Sequence, residues 1–425
     1  MLVAPEIALL DAPVSIRLQG LSSGQKVLLR AWIDDSQGNR WASWAPFRAD
    51  DDGAIDVRIQ RPEEGTYQDA DPMGLFWSMN PLPIGGQTRL FTSSPESPLM
   101  VTLAAEADGT LLMQKQLTRL FLRPGVRKVL LQEQSLVGSF FLPDSPDPCP
   151  GLLLLGGSSG TALEQQAALL ASHGYCTLAL AYFGRDHLPP ELTEIPLEYF
   201  GQALQWLQNQ AEVLPTKLAV LGVSKGAEAA LLLASTFESI KAVVGYAPSA
   251  VVYEGLTGRE ENQNRSSWSY QGKPWPFLSQ TPPPSILAYE QQCLRENIPI
   301  AFCPRYLSSL AERRDGEQAT IPVEKINGPV LLISGQDDQM WPSAHFGFLI
   351  EQRLKQHSFP HDVRHLTYEN AGHKIGIPFL PATTLHQMHH AAANILCAYG
   401  GTPAGNAFAS AHSWQNLLTF LEKSL

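Results

Sequence analysis

Residues 217–235 read KLAVLGVSKGAEAALLLAS. LAVLGV (218–223) is a continuous apolar run, as expected of a strand buried on both faces. AEAALLLAS (227–235) has the pattern of a helix. Between them stand Gly222, Ser224, Lys225 and Gly226. A strand that turns sharply into a helix leaves no room for a Cβ beside the apex, so glycines flank the serine. That is the arrangement of a nucleophile elbow.

Outward from this stretch, strand patterns alternate with helix patterns. LLLL (152–155) precedes the helix pattern TALEQQAALLASHG, which Gly174 stops. CTLALAYF is the next strand, LEYFGQALQWLQNQAEVL a helix, and KAVVGYA the strand after the elbow helix. PVLLIS, a helix pattern near 344–356, the strand DVRHLTY and a C-terminal helical region follow. VRKVLL and SLVGSFFL form an antiparallel opening pair. This alternation predicts a mostly parallel sheet with helices on both faces. A polar, proline-rich stretch (250–325) interrupts it as an insertion.

The first 125 residues differ. Short β runs (VSIRLQ, QKVLLRAWID, AIDVRI, GLFWSM, TRLFT, LMVTLA) are separated by turn signals such as Asp51-Asp52-Gly53 and Asp108-Gly109. They predict an all-β sandwich domain over 1–125, followed by a catalytic domain over 126–425.

G-x-S-x-G occurs three times: Gly20–Gly24, Gly156–Gly160 and Gly222–Gly226. The first lies between two strand patterns and reads as a hairpin turn. The other two both join a strand to a helix, so strand order must choose. From Ser224, the second strand onward is PVLLIS, ending at Gly335-Gln336-Asp337-Asp338, and the next, DVRHLTY, precedes Gly372-His373. Ser, Asp, His is the order of α/β-hydrolases. From Ser158 the acid is four strands away. Ser224 is therefore the expected nucleophile, His373 its base and Asp338 the orienting carboxylate. Asp337 competes for the last role; loops of this type in such hydrolases often read Gly-x-x-Asp, a resemblance that favours Asp338. The oxyanion hole is expected from the backbone N–H of Lys225 and from the GGSSG loop, with Ser158 the first choice within it.

Other chemistries find little support. His386, His389 and His390 have helical spacing but no Cys or carboxylate partner, and read as ordinary helix histidines rather than metal ligands. Neither G-x-G-x-x-G after a strand nor GxxxxGK[ST] occurs, so no nicotinamide, ATP or metal role is expected. The 425 residues carry 30 Lys+Arg against 41 Asp+Glu, a net charge of −11 that argues against nucleic-acid binding. Five irregularly spaced cysteines and no CxxC argue against a disulfide framework and for a reducing compartment. There is no basic n-region with an apolar h-region, no 18-residue apolar run, and no Ser-Lys-Leu terminus, so a cytoplasmic enzyme without a membrane span is expected.

Together DPMGLFWSMNP (71–81), LALAYFGRDHLP, LEYFGQAL, LGVSKGAEAALLLAS, GQDDQMWPS, AGHKIGIPFLP and GGTPAGNAFASAHSWQNLLTFL make nearly the whole chain resemble one family. It is the acyl-CoA thioesterase / bile acid-CoA:amino acid N-acyltransferase family. The resemblance implies a triad of Ser224, Asp338 and His373 and an acyl-CoA substrate. Members with Cys at the elbow include the amino acid acyltransferases, and members with Ser are typically thioesterases. Ser224 thus implies hydrolysis of acyl-CoA to a fatty acid and CoA, a step of lipid metabolism. The alternatives are amino acid N-acyl transfer, a dienelactone-hydrolase-like carboxylesterase, and a non-enzymatic role with the β domain binding a partner. Arg259, Arg265 and Lys273, or Arg313-Arg314, are candidates to meet the CoA phosphates.

Overall fold

Leu152, Leu153, Leu154 and Leu155 are each fully buried, as are Val220, Val243, Val244, Leu331 and Leu332. Strands this apolar on both faces need cover on both faces, and only a sheet sandwiched between helix layers gives it. The computed structural model describes residues 1–83, 90–131, 136–185, 187–312, 317–389 and 395–425. Its central sheet has eight strands: β1 (Arg127–Leu131), β2 (Val137–Leu142), β3 (Cys149–Leu155), β4 (Cys176–Ala181), β5 (Val213–Val223), β6 (Ile240–Tyr246), β7 (Val330–Gly335) and β8 (Val363–Tyr368). Their spatial order is β1-β2-β4-β3-β5-β6-β7-β8. β1 and β2 pair antiparallel, as do β2 and β4, and every later pairing is parallel. This is the α/β-hydrolase sheet.

Helices α1 (Glu164–Ser172), α2 (Leu197–Gln208), α3 (Lys225–Ala234), α4 (Pro284–Glu296), α5 (Cys303–Ala311), α6 (Ser343–Gln356) and α7 (Pro403–Ser424) complete the chain's main helices. All ten residues of α3 are buried, which explains its lack of a polar face. Between β6 and β7 the proline-rich insertion folds into α4, α5 and a small sheet, in which Trp268–Tyr270 pairs with Ile195–Pro196.

The N-terminal part holds two sheets. The larger has six strands, of which Lys26–Asp34 alternates strictly and buries Val27, Leu29, Ala31 and Ile33. The smaller joins Leu2–Ala4, Ser15–Leu18 and Ile55–Asp56. Two readings fail here: residues 90–92 of TRLFT are irregular, its first two residues lying outside the described ones, and GLFWSM is not a strand, because Gly74–Trp77 forms a single helical turn. Asp71 directs it by accepting the Met73 N–H at 2.7 Å and the Trp77 indole N–H at 2.7 Å. An apolar run this short carries no period that separates the two states.

The chain divides into two compact units. One comprises Met1–Arg123, Ile377–Leu385 and Thr402–Ala411; the other comprises Pro124–Gly376, His386–Gly401 and His412–Leu425. The late segment joins the first unit through hydrogen bonds from Ala382 N–H to Trp77 C=O (2.8 Å) and from the Thr383 hydroxyl to Met79 C=O (2.8 Å). The expected helix around His386 is likewise absent. His386–His389 is a strand paired antiparallel with Ile395–Ala398, and His390 lies outside the described residues. So short a segment gains more from a ladder partner than from one isolated helical turn.

Candidate active site

β5 ends at Val223 and α3 begins at Lys225, so the whole reversal falls on Ser224. Its φ of 57° and ψ of −123° are a conformation that residues with a side chain rarely adopt. The turn is held by Ser224 N–H bonding to Tyr246 C=O at 2.8 Å, and by Ala227 N–H bonding back to Ser224 C=O at 2.8 Å. The flanking glycines are required by contact. A Cβ on Gly226 would stand 2.3 Å from the carbonyl oxygens of both Leu155 and Gly156.

Asp338 follows β7 and His373 follows β8, and the parallel register brings both loops to the same sheet edge as the elbow. Ser224 Oγ lies 3.0 Å from His373 Nε2. His373 Nδ1 lies 2.8 and 3.0 Å from the two Asp338 oxygens. With Nδ1 donating to the carboxylate, Nε2 is left as an acceptor for the serine hydroxyl. Asp338 is itself oriented, since its Oδ1 accepts the N–H groups of Met340 (3.0 Å) and Trp341 (3.2 Å). His373 is fixed by its N–H bond to Tyr399 C=O at 2.8 Å, and its ring lies parallel to the Tyr399 ring at 6.1 Å. Asp337 points elsewhere. Its carboxylate accepts the Gly401 N–H at 2.7 Å and the Gln339 side-chain amide at 3.3 Å.

The 156–160 loop runs beside the serine. A Cβ built on Gly157 would be 3.2 Å from Ser224 Cβ and 3.7 Å from Oγ, so a small residue is needed there. Lys225 is the first residue of α3, where a backbone N–H has no intrahelical acceptor and the helix dipole is positive. Ser158, Ser224, Lys225 and His373 all line one cavity of about 950 Å³. That lies at the upper end of the range for small-molecule sites. Its remaining wall comes largely from the insertion, including Glu254, Leu256, Leu287, Phe302 and Arg305.

Of the cations proposed from sequence, the described ones, Arg259, Arg265 and Lys273, do not line this cavity. Arg265 forms a fork with Glu194, Arg259 approaches Glu191 at 4.0 Å, and Lys273 is exposed. Arg313 and Arg314 lie outside the described residues. Arg305 does line the cavity and is held by the Glu290 carboxylate and, at 3.1 Å, by Gln280 C=O. Nothing in its local sequence marks it. A second feature had a signal: Lys225 and Glu228 are opposite charges three apart in a helix that is otherwise apolar.

Residues 11–133 match the family model for the acyl-CoA thioester hydrolase/BAAT N-terminal region, and residues 195–425 match that for the BAAT / acyl-CoA thioester hydrolase C terminal. The mitochondrial acyl-coenzyme A thioesterase 2 of Mus musculus is 32% identical over 421 residues, covering 98% of this chain and 87% of the relative. The bile acid-CoA:amino acid N-acyltransferase of Mus musculus is 30% identical over 434 residues, covering 99% and 96%. Among solved structures, an acylaminoacyl peptidase of Pyrococcus horikoshii matches 77% of this chain and 48% of its own at 13% identity, with a TM-score of 0.43. Both family models and the near-full-length relatives point the same way: the chain belongs to the acyl-CoA thioester hydrolase / bile acid-CoA:amino acid N-acyltransferase family.

Proposed function

We propose that this protein hydrolyses acyl-CoA thioesters to a free acid and CoA through an acyl-Ser224 intermediate. The observation that carries the reading is the Ser224 Oγ to His373 Nε2 distance of 3.0 Å, with Asp338 on the far side of the ring, at the cavity wall. Ser224 Oγ attacks the thioester carbonyl while His373 Nε2 takes its proton. The carbonyl oxygen becomes an oxyanion facing the Lys225 N–H and the 156–160 loop. As the C–S bond breaks, His373 returns the proton to the CoA sulfur. Water then enters, loses a proton to His373 and attacks the acyl-enzyme. Ser224 leaves with that proton and the acid is released.

Serine at the elbow favours water over an amine as the second acceptor. An oxygen ester resists neutral amines more than a thioester does, because oxygen donates more strongly into the carbonyl. All five cysteines are unpaired, which supports a reducing compartment and, with it, a cytoplasmic enzyme. Among the described residues no helix is long and apolar enough to cross a membrane.

The test incubates the protein with acyl-CoA esters of graded chain length, with and without excess glycine or taurine. Thiol release is followed by colorimetry and products by mass spectrometry. Free acid is the expected main product in every case, and Ser224→Ala abolishes it. Predominant N-acyl amide overturns the reading in favour of acyl transfer. Turnover of p-nitrophenyl esters without turnover of acyl-CoA overturns it in favour of a carboxylesterase.

A further inference from the structure

The mechanism uses the main chain of Lys225 and leaves its side chain without a task. That side chain is 2% exposed, and Glu228, one turn on, is 0% exposed. The ammonium meets the two Glu228 oxygens at 2.9 and 3.2 Å, Ser267 Oγ at 2.7 Å and Tyr253 C=O at 3.3 Å. These acceptors use all three of its N–H groups. Glu228 also accepts the Trp268 indole N–H at 2.8 Å. Ser267 passes its own proton on to Tyr253 C=O at 2.9 Å. The network therefore joins the first turn of α3 to two places in the insertion, 253–254 and 267–268, and Glu254 is part of the cavity wall. Burial pushes the Lys225 ammonium below its usual range and the Glu228 carboxyl above its own, while each partner's charge opposes that shift.

An ion pair is a poor choice if the aim is only to glue the helix to the insertion. Removing two charges from water offsets most of their attraction, and a well-packed apolar pair of similar volume is often as stable or more so. What an apolar pair lacks is direction. Four polar contacts on one ammonium fix the rotation of residue 225 about the chain, and the same residue supplies the main-chain N–H at the oxyanion. We propose that the Lys225–Glu228 pair is a positioning device that aims the Lys225 N–H at the developing oxyanion and holds the adjoining cavity wall in register with it. This rests on the acyl-Ser224 reading above.

The test is the double variant Lys225→Met/Glu228→Leu, in which both charges are replaced by apolar chains of near-equal size. Two measurements accompany thermal unfolding. One is kcat and KM for a neutral acyl-CoA. The other is the affinity for an alkylboronic acid, whose boron takes the Ser224 oxygen to form a tetrahedral anion while the serine proton passes to His373. The expected result is a Tm at or above the wild-type value, kcat lower by 10- to 100-fold, less than loss of a whole oxyanion donor, and boronate affinity lower by a similar factor. Wild-type kcat and boronate affinity at wild-type Tm overturn the proposal, as does a change confined to KM. If the double variant does not fold, Trp268→Phe keeps an aromatic ring against Tyr182 and Phe200 while removing the indole donor to Glu228. It is expected to lower kcat and boronate affinity together by about 3- to 10-fold, a partial loss of orientation on the same scale, and unchanged values overturn the proposal. The boronate needs the serine, His373 and the oxyanion donors, and no thioester. Wild-type protein that binds it without turning over acyl-CoA therefore rejects the substrate reading and still tests the network.

Discussion

Replacing Asp338 by Asn separates the geometry of the triad from its electrostatics. The side chain is nearly isosteric, and the amide oxygen can still accept the Met340 and Trp341 N–H groups that Oδ1 now accepts at 3.0 and 3.2 Å. Those two bonds decide which way the amide faces: its oxygen stays with the backbone, and its NH₂ turns toward His373 Nδ1, 2.8 Å away. Two donors cannot share that contact, so Nδ1 gives up its proton and Nε2 carries it instead. Nε2–H then points at Ser224 Oγ, 3.0 Å away, and cannot accept the serine proton. The expected loss in kcat is on the order of 10⁴, about 5 kcal/mol of barrier, by analogy with other serine triads. Tm should change little, because the packing and both backbone bonds survive. Asp337→Asn is the matched control, since its carboxylate meets Gly401 N–H and Gln339 and not the histidine. Thiol release from acyl-CoA under saturating substrate measures both. A loss under tenfold for Asp338→Asn, or an equal loss for Asp337→Asn, would refute the tautomer argument.

Three further outcomes are expected. Ser224→Cys should slow net hydrolysis and shift products toward the N-acyl amide when glycine or taurine is present, read by mass spectrometry of the acid-to-amide ratio. Gly226→Ala should fail to give folded protein, because its Cβ would sit 2.3 Å from two backbone oxygens that cannot move; a normal circular dichroism melt would contradict this. His365 sits between Ser334 Oγ (3.0 Å) and Glu351 (3.1 Å), and burial lowers its pKa despite the carboxylate. The unfolded chain therefore binds this proton more readily, so the stability tied to His365 is full above about pH 6.5 and is lost as pH falls below it. His365→Gln should flatten the acid side of the urea midpoint against pH; an identical slope in both proteins would reject the assignment.

The central sheet was open to reading because its inner strands carry continuous apolar runs, such as 152–155, 218–221 and 330–333, and alternate with helix patterns. The candidate residues were chosen by strand order, which needs no coordinates: one strand separates the elbow strand from the Asp338 strand, and the His373 strand comes next. What escaped is amphipathic or short. Thr110–Leu120 leaves most of its first seven residues exposed, so its composition does not announce a strand. Gly74–Trp77 is too brief to show a period. His386–His389 depends on a partner strand that local spacing does not reveal. Arg305 and Arg265 are both held by carboxylates, and only tertiary placement puts Arg305 rather than Arg265 on the cavity wall, which local sequence does not carry.

Ser224 and His373 are 149 residues apart, and Asp338 stands 35 residues before the histidine. Contacts of such separation close late, because the loop entropy is spent before they form. A chain emerging from its N-terminus completes β5 and displays the serine while β7 and β8 are still unmade. At that stage the hydroxyl has no imidazole beside it. Under the mechanism proposed above, the nucleophile is thus armed by the final strands of the sheet, and a chain that stops before them cannot consume acyl-CoA.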